Sequence, residues 1–241
     1  GLAITLQQRR MSNFRLAHNL WMLGAFGIIH GAAEWGDIFI PIQSSLISDF
    51  WIIILSDVQE IAWAISFAFL LQFAVSMLVP RLIWNIRIQK SVFWSAPLWS
   101  LAVTITGVFL LPEEFGKSWI RYMLGFPAAM LTAAAFLFER RSFDVFRSAS
   151  VKSNLTMTAA AFAAYAILAG LIVPQDTLPG LQWLNYQNVH SMTGMPIQFW
   201  RMIAGVVIAF FVIRSLSVFD LEVRGRLETV EKNQVLGMDR Q

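Results

Sequence analysis

His30 and Glu34 stand four residues apart in the segment HGAAEWGD. On a helix that spacing places them on one face, one turn above the other. An imidazole beside a carboxylate can relay a proton, answer a ligand or contribute two metal ligands. Asp37 follows within the same segment, and Gly31 leaves a neighbouring helix room beside His30. Three uses compete for this pair: a structural hydrogen bond, a ligand or proton sensor, and a metal or haem site. A zinc ion takes about four ligands, so a metal would need more than these two side chains. His190 can add a second imidazole from the loop before the last helix, whereas His18 falls at the opposite end of its own helix.

The other polar concentration is Trp183 to Arg201, WLNYQNVHSMTGMPIQFWR. Met192 and Met195, with His190, offer soft ligands to Cu(I), although paired Met side chains also fill gaps between helices. Arg201 falls about one and a half turns into the final helix and must pair or snorkel. Glu34, Asp37 and Glu60 are its possible partners. Arg121, beside Tyr122, poses the same question more weakly. Gln72 falls in mid-span and is expected to bond across to another helix. The candidate signal-sensing set is therefore His30, Glu34, Asp37, His190 and Arg201. No catalytic residue is assigned, and the identity of any metal or cofactor stays open.

Other chemistries find no residues. Lys90, Lys117, Lys152 and Lys232 fall in loops, at edges or in the tail, so none suits a retinal Schiff base. P-loop, dinucleotide, HExxH and GxSxG motifs are absent. The chain has no Cys, which excludes disulfides, thiolate metal sites and covalent haem attachment.

The elements that must hold these residues are apolar helices. Hydrophobic residues make up 57% of the chain and charged residues 14%, against about a quarter charged in a soluble domain. A spanning helix needs about 20 mostly apolar residues. Complete spans are expected at Leu16 to about Ile38, about Val58 to Val79, Val92 to Leu111, Trp119 to Phe138 with a kink at Pro127, Leu155 to Val173, and Pro196 to about Val218. The run FWIIIL, Phe50 to Leu55, is too short to span and is expected to lie in the interface. The opening GLAITLQ reads as the end of a further, truncated helix, giving seven in all.

Positive charge sorts to one side of these segments. Arg9, Arg10 and Arg15 precede the first, Arg81, Arg87 and Lys90 follow the second, Arg140, Arg141, Arg147 and Lys152 follow the fourth, and Arg214, Arg224 and Arg226 follow the sixth. The intervening loops hold only Lys117. Retention of positive charge on the cytoplasmic face orients the chain with its C-terminus inside. The formal charge of +3 reflects these loops, and no basic aromatic groove suggests nucleic acid. The expected fold class is an all-α polytopic transmembrane helix bundle, residues 1–218, in the bacterial inner membrane. Residues 219–241 form a separate charged segment. Its apolar positions Phe219, Val223, Leu227 and Val230 recur at helical spacing, as in a cytoplasmic signalling helix that forms a homodimer.

Two stretches carry a resemblance: LAHNLWMLGAFGIIHGAAEWGDIFIP (Leu16 to Pro41) and MPIQFWRMIAGVVIAFFVIRSLSVFDLE (Met195 to Glu222). With HGxxEW after an arginine-bearing inner loop, and a final helix running into a charged segment, the chain resembles the seven-helix N-terminal membrane sensor regions of bacterial signal-transduction proteins. These are chiefly histidine kinases, with PAS-containing and diguanylate cyclase relatives. The resemblance implies a sensor that relays a periplasmic or intramembrane signal to a cytoplasmic output domain, with a response regulator as partner where that output is a kinase. The closing MDRQ is similar to the start of a kinase dimerisation helix, but the phospho-accepting His is not in this chain. Three other functions compete: a small-molecule transporter or channel, a membrane redox subunit that binds haem or quinone, and a structural subunit of a larger complex.

Overall fold

The computed structural model describes residues 15–142, 149–174 and 183–216. The tail that carries the expected signalling helix, the opening GLAITLQ, Arg9, Arg10, Arg147 and Lys232 lie outside the described residues. The chain forms α1 (Arg15–Gln43), α2 (Asp49–Leu82), α3 (Ile86–Ile105), α4 (Glu113–Ile120), α5 (Phe126–Ser142), α6 (Ala149–Tyr165), α7 (Tyr186–Thr193) and α8 (Ile197–Ser215). Three π-helical turns, Thr106–Leu110, Arg121–Gly125 and Ala166–Leu171, continue α3, join α4 to α5 and extend α6.

Five helical stretches are long and apolar enough to cross a membrane: Asp49–Leu82, Ile86–Leu110, Phe115–Arg141, Ser150–Leu171 and Ile197–Ser215. Their outward faces carry large apolar side chains, among them Trp94, Leu98, Phe109, Met202, Val206 and Phe210. An apolar surface of that extent suits lipid and not water, which marks a membrane-embedded protein. Helix α1 is not among the five. It has 29 residues, which is long enough, but His18, Asn19, His30, Glu34 and Asp37 lower its hydropathy.

The run Phe50 to Leu55 is not a separate interfacial segment. It forms the first turns of α2, a continuous helix of 34 residues, about 51 Å long at about 1.5 Å per residue. Nothing in DFWIIILSDVQE breaks a helix, and Asp49 in the first turn favours one by meeting the positive end of its dipole. The expected kink at Pro127 coincides with the π turn Arg121–Gly125, immediately before it. A helix that already changes pitch there loses little from a residue without an N–H.

Side-chain packing, not water exclusion, holds helices together in lipid, so small residues and interlocked rings carry the contact. The rings of Phe73, Phe136 and Phe162 form a file across α2, α5 and α6, with centroids 5.7 and 5.8 Å apart. Ala128, Ala129, Ala133, Ala159, Ala166 and Ala169 are buried around it. Beside them, Arg81 bonds the buried carboxylate of Glu139 and donates to Met77 O at 2.6 Å. This clasp ties α2 to α5. It sits at the end of the bundle that also holds Arg15, Arg87, Arg140, Arg141 and Arg214.

At the opposite end α3 and α4 meet backbone to backbone. A Cβ on Gly116 would lie 2.3 Å from the Gly107 carbonyl oxygen, whereas one on Gly205 of α8 meets nothing within 4 Å. Gly116→Ala is therefore expected to destabilise by about 1–3 kcal/mol or more through overpacking. Gly205→Ala should be neutral or gain up to about 1 kcal/mol from helix propensity. Thermal unfolding of the two purified variants checks the contrast; equal behaviour would contradict the close approach.

Candidate functional site

The π turn at the end of α6 creates the site. Ile172 N–H bonds back five residues to Ile167 O at 3.1 Å, and the helix stops there. The carbonyls beyond that last ring have no intrahelical donor and need one from elsewhere. Two buried arginines supply it. Arg201 of α8 donates from Nε to Leu168 O at 3.0 Å and from Nη2 to Ile172 O at 3.2 Å. Arg121 donates from Nη1 to Ala169 O at 3.1 Å. The negative end of the helix dipole favours both cations there. Close packing makes the reach possible: a Cβ on Gly170 would fall 2.6 Å from the backbone of Phe126, so the strand of chain bearing Arg121 presses directly on α6.

Glu34 is the counter-ion of both. Arg201 Nη1 lies 3.5 Å from each of its carboxylate oxygens, and Arg121 Nη2 lies 3.8 Å from Oε1. The partner of Arg201 is therefore Glu34, one of the three acids the sequence left open. Asp37 sits a turn further along α1, where Gln59 of α2 donates Nε2 to it at 2.7 Å and to Ala33 O at 2.9 Å. Glu60 is 3.4 Å from Lys117 Nζ instead. Tyr186 accepts from Arg201 Nη2 at 2.8 Å. The guanidinium of Arg121 lies 4.3 Å from the centroid of the Trp63 ring, a cation–π contact in place of a further acceptor. Arg121 and Arg201 are 1% and 3% exposed. Two cations and two carboxylates, Glu34 and Asp37, balance in charge, as a site removed from water requires.

His30 joins this network with a directed set of bonds. Ser66 Oγ donates its one proton to Trp63 O at 2.7 Å, so it accepts from His30 Nδ1 at 2.8 Å. In a neutral ring with Nδ1 protonated, Nε2 accepts, and its donor is the Tyr165 hydroxyl. Glu34 Oε1 stands 3.5 Å from the same Nε2. The imidazole is stacked on Phe26 at 5.1 Å and lies 4.9 Å from Phe67, so its orientation is fixed on both faces and at both nitrogens.

A cleft of about 670 Å³ opens between α1 and α8 onto this cluster. The two helices are not packed along their lengths; α1 lies on α2, and α8 on α6. Phe26, Phe199, Met202 and Val206 wall the cleft, and His30, Glu34, Tyr165 and Arg201 close its polar end. Its size and mixed lining are those of small-molecule sites.

The structure thus brings His30, Glu34, Asp37 and Arg201 together and adds Arg121 to them. His190 is not with them: it is exposed near the end of α7, as are Met192 and Met195. His18 is also exposed, so the three imidazoles of the chain lie apart, and no facing pair stands ready for haem. Among the described residues no three His, Asp or Glu side chains gather to hold a metal ion. Gln72 does not make the expected interhelical bond; its Oε1 is buried without a hydrogen-bond partner among the described residues. Sequence reading missed Gln59, Ser66, Tyr165 and Tyr186. The one signal available was scarcity: the chain has three Tyr, and two of them, Tyr165 and Tyr186, bond this cluster.

No family model matches the chain, and neither a curated protein nor a solved structure shows significant similarity to it.

Proposed function

We propose that this chain is the membrane input module of a bacterial signal-transduction protein, a histidine kinase in first place, with its C-terminus in the cytoplasm of the bacterial inner membrane. The observation that carries the reading is the Glu34–Arg201 pair. It bridges α1 and α8 across a cleft where these helices have little other contact, and α8 is the helix that leads into residues 217–241. A change at the pair, whether by a ligand, a proton or a redox partner, would alter the seat of α8 and shift the population between two helix packings. The amphipathic pattern from Phe219 to Val230 suits the onward relay to a homodimeric output and, for a kinase, to its response regulator. On this orientation the basic ends of the helices face the cytoplasm, α1 is a sixth complete span, and the cluster lies in the outer half.

The test uses the absence of native Cys. A Cys pair at Trp84, which is 99% exposed, and Ile213 of α8 takes spin labels for distance measurement in lipid nanodiscs. Glu34→Gln and Arg201→Gln are each expected to move the distance distribution or add a second peak. In the intact signalling protein each should lock output in one state. Unchanged distributions with wild-type stimulus response in both variants would remove the sensor reading.

A further inference from the structure

The hydrogen-bonding capacity left over around Glu34 has a specific chemistry. The three contacts that donors make to its carboxylate, one from Arg121 Nη2 and two from Arg201 Nη1, are 3.8, 3.5 and 3.5 Å long. These are longer than the roughly 2.7–2.9 Å of a well-made charge-assisted bond. A carboxylate offers about four accepting positions, so Glu34 has acceptor capacity to spare, and at 19% side-chain exposure it looks into the cleft. Beside it in the cleft wall, Arg201 Nη1 makes only its two 3.5 Å contacts to Glu34. Weakly used acceptor and donor positions, on Glu34 and on Arg201 Nη1, thus stand 3.5 Å apart at the cleft. The charges already balance.

We infer that the cleft binds an uncharged amphiphile through a hydroxyl head group, with its apolar body lying between α1 and α8. A hydroxyl both donates and accepts: it can donate a hydrogen bond to Glu34 and accept one from Arg201 Nη1. A fatty acid can only accept, and its charge would face Glu34. An alkylammonium can only donate, and it would leave an excess cation beside two arginines. The walls suit the rest of such a molecule, because Phe26, Phe199, Met202 and Val206 are apolar, and Met202 and Val206 are also exposed on the apolar outer face of α8. Two glycines on that surface leave space where side chains would stand: a Cβ on Gly31 or Gly205 meets nothing within 4 Å. This inference deepens the sensor reading and rests on it for the purpose of the site.

The experiment is photolabelling of the full chain in phosphatidylcholine nanodiscs by a photoreactive C16 alcohol, in competition with unlabelled hexadecanol, hexadecylhydroquinone, hexadecanoate and hexadecylamine. Either hydroxyl compound is expected to compete about tenfold or more better than the acid or the amine, because like charges in contact are strongly disfavoured. Preference for the hydroquinone would identify a quinol as the source and preference for hexadecanol an aliphatic lipid; both support the inference. Gly205→Leu and Gly31→Leu should each reduce labelling about tenfold by filling the cleft, with helix content by circular dichroism verifying the fold. Equal competition by the acid or amine, or labelling that survives in both folded variants, would overturn the ligand class. The spin-label pair separates the two readings. Selective hydroxyl binding that leaves the α8 distance unmoved sustains the ligand class and removes the sensor. Failure of every probe removes the ligand class, and the distances in Glu34→Gln still decide the sensor.

Discussion

Glu34→Leu is expected to destabilise the protein by about 3–5 kcal/mol, the usual cost of removing one partner from a buried ion pair. The substitution replaces the carboxylate with an apolar side chain of similar bulk on α1, so the loss is electrostatic. It strands Arg121 and Arg201, which are 1% and 3% exposed, near a counter-charge reduced to Asp37 alone. Neither guanidinium can leave by snorkelling: Arg201 is held by Leu168 O, Ile172 O and Tyr186, and Arg121 by Ala169 O and Trp63. Denaturant titration of the purified protein, followed by circular dichroism, measures the effect. Adding Arg121→Met to Glu34→Leu should recover part of the loss, since one stranded charge is removed with its partner already gone. The interaction energy from that double-mutant cycle is the direct reading of the pair. A variant Glu34→Leu as stable as wild type would mean that the carboxylate does not neutralise these arginines.

Much of the frame was legible because its signals are local. Outside α2 the apolar runs place the helices to within about six residues, from Val92–Leu111 against Ile86–Leu110 to Pro196–Val218 against Ile197–Ser215. The i,i+4 spacing puts His30 and Glu34 on one face, and the need of a buried Arg for an acid linked Arg201 to Glu34 among three choices. The boundary of α2 was misread because hydropathy marks where lipid begins, whereas a helix continues until its backbone is broken. Arg121, Tyr165 and Tyr186 were not legible as members of the cluster. Arg121 stands at the start of a π turn and Tyr186 follows a loop, while Tyr165 ends the regular part of α6 and meets His30 only through tertiary packing. Periodicity within one segment carries no information about which side chains of distant segments meet. His190 shows the reverse case, since its place in the loop before the last helix suggested a second imidazole beside His30, while in α7 it is exposed.

Arg201→Met and Arg121→Met should differ sharply, although both delete a buried arginine facing the same carboxylate. Every polar nitrogen of Arg201 is committed: Nε to Leu168 O, Nη2 to Ile172 O and Tyr186, Nη1 to Glu34. Its removal orphans two carbonyls at the open end of α6 and releases Tyr186, and each unsatisfied buried group costs about 1–3 kcal/mol. The expected total is about 3–5 kcal/mol, together with loss of the bridge between α1 and α8. Arg121 makes one hydrogen bond, to Ala169 O, and leaves Nε and Nη2 unsatisfied. Met at that position removes two unmet donors along with one bond, a cation–π contact and a 3.8 Å contact to Glu34, which Arg201 still neutralises, so its cost should be about 1–2 kcal/mol, on the scale of one net hydrogen bond and one aromatic contact. Denaturant titrations of the two variants under one condition supply the comparison. The same pair divides architecture from signal: Arg201→Met should shift the spin-label distance between Trp84 and Ile213 positions, and Arg121→Met should leave it near wild type, because α8 keeps its tie to Glu34. Equal cost and equal displacement would mean that the network acts as one undivided charge cluster and that α8 has no tie of its own to α1.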